Sequence, residues 1–217
     1  YIIDSTNKVF SLVKGLDVEC GMRLVNKLAD GRICISDYIS KYYSNKNKGN
    51  IIIPPLGESE KPYLSQNSKV QFVYAGIPFR IGKNIRNRKI LKDRLDIIIK
   101  YFSKIDSNIY PYTFDIYGVT KEDYLTCFPE DKKYIEKDNS SIFFHGKMSN
   151  TELKDIIRKA NYTILYREEI RTNKAGFSTK ISESINLGTP VITTCVGDIS
   201  QYLTNGEDAY FGYTGAL

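Results

Sequence analysis

"KAGFSTKISESINLGTPVI", residues 174–192, places small and hydroxylated residues directly ahead of a short helical run. The run covers residues 179–187, and Gly188 is expected just past its end, where glycine is favoured. Pro190 cannot continue a helix, and the apolar residues after it have the character of a buried strand. The segment therefore predicts a helix, a tight turn and a strand in succession.

The same alternation of strand and helix extends through most of the chain. Short apolar runs predict strands over residues 70–76, 113–118, 141–146, 162–167 and 190–195. Helices are predicted over 149–160, where Ser149 and Glu152 form a capping box, and over 90–105, where apolar residues share one stripe. That stripe consists of Leu91, Leu95, Ile98, Ile99 and Phe102. Near-continuous apolar strands between helices indicate an α/β fold, a Rossmann-like parallel sheet with helices on both faces.

The first quarter of the chain has shorter elements. Strands are predicted over residues 32–36 and 50–55, with a helix over 36–44 that Ser36 caps and a polar loop over 45–50. We expect a first domain over 1–53, a linker over 54–68 and a second domain over 69–217. Tyr1 stands where an initiating Met is expected and no signal peptide follows, so we expect a fragment of a longer protein.

Composition narrows the class of protein. The 217 residues are 41% hydrophobic and 26% charged, which is ordinary for a folded globular chain. No run approaches the ~18 apolar residues that a membrane span needs. A net charge of +6 favours anionic partners such as nucleotides, a phospholipid surface or nucleic acid, although a Lys-rich solvated surface accounts for most of the excess.

The cysteine and histidine content argues against a metal site. The four cysteines are widely spaced and form no C-x-x-C pair, so reduced thiols in a cytoplasmic protein are expected. Cys34 and Cys195 lie in apolar runs and are predicted to be buried. His145 is the single histidine, which makes a zinc site unfavourable.

The start of the helix at residue 179 is a candidate anion site. The first N–H groups of a helix lack intrahelical acceptors, and the helix dipole adds positive potential there. Gly176 allows close approach of a ligand, Ser178 and Thr179 add hydroxyl donors, and Lys180 adds charge. Glu183 points back towards the same end, where a carboxylate suits the vicinal diol of a ribose. The alternative is a simple capped helix in which the dipole favours Glu183 by ~0.3–1 kcal/mol.

Five segments of the chain resemble a known family of enzymes. They are YAG (74–76), FDIYG (114–118), FFHGKMSNTEL (143–153), AGFSTKISESINLGTPVI (175–192) and GDISQYLTNGEDAYF (197–211). In order and spacing they resemble the retaining glycosyltransferases of the GT-B fold (glycosyl transferases group 1), in the group with many bacterial polysaccharide and capsule transferases. The resemblance runs from about residue 36 to 211 and implies the carboxyl-terminal, donor-binding lobe. Residues 1–53 would then be the end of the amino-terminal acceptor lobe.

The signature of that family is a pair of glutamates with seven residues between them. Glu183 matches the second, which binds the donor ribose. Ala175 occupies the first position, where the family's glutamate contacts the donor sugar near its reacting carbon. A capsule-type subgroup has AGFPTK here, with Pro at the position of Ser178.

The resemblance also implies the other contacts with the donor. The diphosphate would bind residues of the helix entry and two cations that follow the first strand of the lobe; Arg86, Arg88 and Lys89 compete with Arg80 and Lys83 for that role. The implied diphosphate site consists of Arg80, Lys83, Gly176, Phe177, Ser178, Thr179 and Lys180. Gly118, His145 and Gly146 would flank the nucleobase, mostly through backbone groups. Arg167 is a further candidate to face the cleft. No catalytic residue is assigned, and Asp115 is interpreted as structural.

Taken together, the resemblance implies a hexosyltransferase-type enzyme of bacterial polysaccharide biosynthesis. It would move a sugar from a UDP- or GDP-sugar to a saccharide or lipid-linked acceptor with retention of configuration. No cofactor or metal is expected, since two cations replace a metal. The enzyme would be cytoplasmic, with peripheral contact at the inner face of the plasma membrane, and the fragment alone would be inactive. The alternatives are a non-catalytic nucleotide-binding or interaction module of the same fold and, on charge alone, nucleic-acid binding through residues 80–94, which is not favoured.

Overall fold

The computed structural model describes residues 8–44, 48–55, 57–63, 68–137 and 140–212. Contacts within the chain divide it into two units, residues 1–54 and 55–217. Parts of four predicted segments lie outside the described residues: 1–7 of the first domain, 45–47 of the loop, 56 and 64–67 of the linker, and 138–139 and 213–217 of the second domain.

The first unit contains a two-stranded parallel sheet. Its elements are α1 (Lys8–Leu28), β1 (Gly31–Cys34), α2 (Asp37–Tyr42) and β2 (Gly49–Ile52). Ser36 caps α2 as predicted, because its Oγ accepts a hydrogen bond from the Ile39 N–H at 3.2 Å. Ile33 and Ile51 are paired across the two strands and both are exposed, so one face of this small sheet is apolar and uncovered within the described residues.

The second unit is built on a six-stranded sheet whose described strand pairs are all parallel. The strands are β3 (Val70–Ala75), β4 (Tyr112–Tyr117), β5 (Ile142–Gly146), β6 (Tyr162–Leu165), β7 (Val191–Thr194) and β8 (Ala209–Gly212). They lie in the order β5-β4-β3-β6-β7-β8. Between β3 and β6 only two residue pairs are in register, Phe72 with Tyr162 and Val73 with Thr163. The Rossmann-like α/β fold is confirmed, with β8 as a strand that was not predicted.

Helices and short helical turns connect these strands. They are α3 (Leu95–Phe102), α4 (Lys121–Cys127), α5 (Lys132–Ile135), α6 (Asn150–Lys159), α7 (Arg171–Ala175) and α8 (Thr179–Asn186). The capping box of Ser149 and Glu152 opens α6 as predicted. At the end of α8, Gly188 adopts a φ of +78°, which supports its predicted role beyond the helix.

Helix α3 is shorter than the predicted 90–105. Leu91 has an extended backbone (φ −69°, ψ 133°), so the chain enters the helix only after Arg94. The Arg94 N–H donates to the Tyr166 carbonyl at 2.8 Å, which ties this entry to the segment that follows β6. All five residues of the predicted apolar stripe are nevertheless buried, because Leu91 reaches the core from outside the helix.

The carboxyl end of α8 is held by a preceding segment of the second unit. The Glu60 N–H donates to the Asn186 carbonyl at 2.6 Å, and Pro62 lies beside Gly188. A Cβ on Gly188 would come within 2.6 Å of the Pro62 Cα, so a glycine is needed there for close approach as well as for its backbone conformation. Segment 57–63 therefore runs along the carboxyl end of α8.

The prediction that Cys195 is buried is wrong, whereas Cys34 is buried as predicted. Strand β7 ends at Thr194, so Cys195 lies in the loop beyond the sheet and is exposed. Cys127, at the end of α4, is buried instead. Of the helices in the described ranges, none combines the length and apolar character that crossing a membrane requires.

Candidate functional site

Three neighbouring strands end in glycine at one edge of the sheet. The Gly76 N–H donates to the Tyr117 carbonyl at 2.9 Å, and the Gly118 N–H donates to the Gly146 carbonyl at 2.6 Å. Gly118 has a φ of +101°, and a Cβ on it would lie 2.7 Å from the Gly76 carbonyl oxygen. The strand ends therefore pack backbone against backbone, which leaves this edge accessible to a ligand.

Helix α8 begins at the same edge of the sheet. The Ser178 carbonyl accepts from the N–H groups of Ile181 (3.1 Å) and Ser182 (3.2 Å), so the N–H groups of Thr179 and Lys180 precede the first intrahelical bond. The Ser178 side chain makes no cap hydrogen bond. Its Oγ is buried and has no hydrogen-bond partner among the described residues. The helix start thus offers backbone donors and an unpaired hydroxyl.

An ionic cluster joins this helix start to the loop before α3 and to the segment after β6. The Asp93 carboxylate accepts a hydrogen bond from Lys180 Nζ at 2.7 Å and from Arg167 Nε at 2.8 Å. The Tyr74 hydroxyl donates to the same carboxylate at 3.2 Å. Asp93 is only 2% exposed, so two cations converge on one buried anion.

Backbone contacts explain why these residues meet. Thr194, at the end of β7, binds the Arg167 backbone through its hydroxyl, which accepts from the N–H at 2.9 Å and donates to the carbonyl at 2.7 Å. Asn173, on α7, donates through Nδ2 to the Lys92 carbonyl at 3.1 Å. Together with the bond from Arg94 to Tyr166, these contacts place Lys92 and Asp93 beside Arg167.

Lys180 reaches Asp93 by crossing Gly76. A Cβ on Gly76 would lie 2.3 Å from Lys180 Cε and 2.9 Å from its Nζ, distances at which no side chain fits. The ammonium group lies 5.8 Å from the centre of the Tyr74 ring, within range of a cation–π attraction. The absence of a side chain at Gly76 is therefore a condition for the contact between Lys180 and Asp93.

The charges of the cluster shift the pKa values of its members. Burial alone would raise the pKa of Asp93, but the positive charges and hydrogen bonds of Lys180 and Arg167 outweigh burial and lower that pKa. Burial, followed by repulsion from Arg167 and Lys180, lowers the pKa of Lys92. Burial and the charge of Asp93 raise the pKa of Tyr74 well above its usual value. Two cations, Lys180 and Arg167, thus contact the one carboxylate of Asp93, and Lys92 lies near enough to interact with all three charges.

Glu183 lies one turn into α8 with no hydrogen bond or ion pair on its carboxylate from any described residue. Its side chain is half-buried. Together with Lys180 and Ala75 it lines a cavity of about 20 Å³. The carboxylate is therefore available to a ligand that donates hydrogen bonds.

The predicted basic residues after β3 have different surroundings. Arg80 and Lys83 are exposed on the long connection between β3 and α3. Arg88 is held in a separate network, where it pairs with Asp131 at 2.8 Å, with Asp96 at 3.3 Å and with Glu130. Burial by itself lowers the pKa of Arg88, but the hydrogen bonds and charges of these carboxylates raise it. The charge of Arg88 is thus already balanced by the fold.

His145 lies beside the glycine edge in a polar network across β3, β4 and β5. Its Nε2 is 2.6 Å from Asp115 Oδ1, and its ring stacks on Tyr117 with centroids 4.5 Å apart. Asp115 also accepts hydrogen bonds from Gln71 Nε2 at 2.9 Å and Thr113 Oγ1 at 3.0 Å. This network supports the structural interpretation of Asp115, and the structure brings Gly118 and Gly146 into direct contact with each other.

The profile of the family described as Glycosyl transferases group 1 matches residues 84–215, more than half of the chain. The chain belongs to the glycosyl transferases group 1. A comparison with curated protein sequences gave no match.

Solved structures of glycosyltransferases share the fold. TarM superposes with a TM-score of 0.64 at 10% identity, over 92% of this chain and 36% of TarM. A mutant of S. aureus TarM in complex with Fondaparinux, alpha-GlcNAc-glycerol and UDP gives 0.62 at 14% identity, over 92% and 37%. Anabaena HepE in complex with UDP-glucose gives 0.61 at 13% identity, over 92% and 54%. The chain therefore has the fold of a GT-B lobe and spans between about a third and just over half of these proteins.

Within this group 1 lobe, sequence reasoning missed Lys92 and Asp93. Both were assigned to the interior of a helix over 90–105, because a stripe of apolar residues runs through that range. The available signal was the run of three charged residues, Lys92, Asp93 and Arg94, directly before the buried Leu95. Three consecutive charges within an apolar pattern indicate that the helix begins after them. Arg167 and Lys180, which were predicted, are the partners that Asp93 brings together.

Proposed function

We propose that this chain carries the donor-binding lobe of a glycosyltransferase that moves a sugar from a nucleotide-diphosphate sugar to a saccharide acceptor. One observation carries the proposal: α8 begins with N–H groups that precede its first intrahelical hydrogen bond, and Lys180, its second residue, converges with Arg167 on the Asp93 carboxylate. Helix starts with free N–H donors and nearby cations are typical sites for phosphate groups. Family membership and the GT-B fold support the same reading.

The diphosphate would bind at the helix start, through the N–H groups of Thr179 and Lys180 and the hydroxyl of Ser178. Gly176 and Phe177 lead into this turn and allow the backbone to approach the ligand. Lys92, Arg167 and Lys180 would supply the positive charge, and Arg80 and Lys83 remain proposed as contacts from the exposed loop. As the sugar leaves, negative charge grows on the diphosphate, and fixed cations stabilise that charge without a metal.

The ribose and base would extend from the diphosphate across the glycine edge. Glu183 would accept hydrogen bonds from the two ribose hydroxyls, because its carboxylate has no other partner among the described residues. The base would lie near Gly118, His145 and Gly146. The TarM complex contains UDP and the HepE complex contains UDP-glucose, and we therefore propose UDP as the first candidate nucleotide here, ahead of GDP.

We also propose the finer features that the family resemblance implies. These are retention of configuration, transfer of a hexose in bacterial polysaccharide or capsule synthesis, and action in the cytoplasm on a saccharide or lipid-linked acceptor at the membrane. Ala175 removes the carboxylate that would lie near the reacting carbon. That substitution favours one alternative, a non-catalytic nucleotide-binding module, which predicts donor binding without sugar transfer by the full-length protein.

Calorimetric titration of this chain with UDP and with GDP tests the proposal. We expect one nucleotide to bind, and Glu183→Ala to weaken that binding by ~1.5–3 kcal/mol, roughly tenfold or more, because a charged hydrogen-bond acceptor is lost. Glu122→Ala is the matched control, since Glu122 is an exposed glutamate on α4. Binding that is equally insensitive to both substitutions would contradict the assignment of Glu183.

A further inference from the structure

Asp93 neutralises two cations of the candidate site at the same time. Oδ1 accepts from Arg167 and Oδ2 accepts from Lys180 and Tyr74, so both oxygens are occupied within the protein. The two cations differ in freedom: the Arg167 side chain is 6% exposed, whereas that of Lys180 is 30% exposed. Lys180 is therefore the partner that is able to leave Asp93.

The position of Lys180 on α8 brings it towards any anion at the helix start. It is the second residue of the helix, directly after Thr179, and its N–H precedes the first intrahelical hydrogen bond. Its side chain, however, turns across Gly76 to reach Asp93. The same residue thus contributes a backbone donor to the anion site while its ammonium group is engaged elsewhere.

We propose that Asp93 is a positioning residue that holds the Lys180 ammonium across Gly76, so that the donor diphosphate must compete with Asp93 for it. The inference rests on the proposed function, because the competing anion is the donor's diphosphate. The carboxylate also repels the diphosphate directly, since like charges lie on either side of one ammonium group. Asp93 therefore weakens the hold on the nucleotide and favours its release after sugar transfer.

Replacement of Asp93 by Asn tests this competition. Asp93→Asn removes the charge but keeps the shape, so Lys180 is freed, and we expect UDP and inorganic pyrophosphate to bind about tenfold more tightly. If Asp93 had only a structural role, the substitution would weaken the binding of UDP and pyrophosphate, because a loosened site binds its ligand less tightly.

Asp131→Asn is the matched control for Asp93→Asn. Asp131 is also 2% exposed, and it is likewise bound by a guanidinium group, that of Arg88, and by a tyrosine hydroxyl, that of Tyr124 at 2.6 Å. The substitution makes the same change in net charge at a comparable buried site, and the affinity for UDP is expected to stay unchanged.

The competition is overturned if folded Asp93→Asn protein binds UDP and pyrophosphate no more tightly than the unchanged chain. Should that variant fail to fold because Arg167 loses its partner, Arg167→Gln and Arg167→Gln with Asp93→Asn form an equivalent pair. Loss of the carboxylate must then strengthen binding relative to Arg167→Gln alone. If the unchanged chain binds pyrophosphate but neither UDP nor GDP, the proposed function is wrong. The competition between Asp93 and the anion is then tested by comparing the pyrophosphate affinity of Asp93→Asn with that of the unchanged chain. If it binds none of the three, both proposals are wrong.

Discussion

Removal of Arg88 is expected to destabilise the second unit strongly without changing nucleotide affinity. Arg88 binds the Asp131 carboxylate through both terminal nitrogens, at 2.8 and 3.0 Å, and also reaches Asp96 and Glu130. Its guanidinium carbon lies 4.6 Å from the centre of the Phe128 ring, so the network is packed as well as charged. Arg88→Ala would leave Asp131 buried at 3% side-chain exposure with only the Tyr124 hydroxyl as a partner.

The magnitude follows from the burial of that carboxylate. Removing one partner of a buried ion pair costs ~3–5 kcal/mol, because the other charge stays uncompensated. For a unit of this size, each kcal/mol lowers the melting temperature by about 2–4 °C, which gives a fall of roughly 6–20 °C. Thermal unfolding followed by circular dichroism at pH 7 measures it.

Glu130→Ala provides the control for Arg88→Ala. The Glu130 side chain is 58% exposed, so loss of its ion pair is expected to cost at most about 1 kcal/mol. UDP titration of Arg88→Ala well below its melting temperature completes the test. A melting temperature within 2 °C of the unchanged chain, or a tenfold loss of UDP affinity in folded protein, would refute the assignment of Arg88 to a structural network.

Two further predictions concern the ionic cluster. Gly76→Ala is expected to force Lys180 off Asp93 and to lower the free energy of unfolding by ~1–3 kcal/mol in chemical denaturation, because of the lost contact and the φ of +148°. Gly82→Ala is the control for backbone strain alone, since Gly82 has a φ of +88° but no atom within 4 Å of an added Cβ. Equal losses of stability in the two variants would argue against a clash with Lys180. The pKa of Asp93 is lower in the folded than in the unfolded chain, so the unfolded chain takes up the proton first as pH falls. The stabilisation that ionised Asp93 gives the fold is therefore fully present above about pH 4 and is lost as pH falls below that value. Urea unfolding between pH 2.5 and 6 should show a shallower acid dependence of stability for Asp93→Asn than for the unchanged chain, and identical pH profiles would speak against this contribution of Asp93.

The fold was predictable from sequence because its signals are local. The predicted strands that end in Gly76, Gly118 and Gly146, and the helix capped by Ser149, each depend on residues within a few positions of one another. Strand β8 was missed because its four residues follow a turn and carry only a brief apolar pattern.

The candidate site was predictable only in part. The helix start and Glu183 lie within one continuous motif, so their relation is visible in the sequence. Asp93 meets Arg167 across 74 positions and Lys180 across 87, and a periodicity of 3.6 residues carries no information about such partners. Cys195 shows the same limit, since an apolar neighbourhood in sequence does not reveal that the strand has already ended.

The pairing between β3 and β6 is short, so a ligand bound beside it would contribute to the stability of the sheet. Only two residue pairs are in register between these central strands; hydrogen bonds between Gln71 and Asn161 lie at one end of this ladder, and the side chains around Asp93 bridge the strands at the other end. A nucleotide bound beside the Asp93 cluster would contact both the β3 half and the β6 half of the sheet. By mass action its binding energy would add to the resistance of the whole sheet against opening along that line.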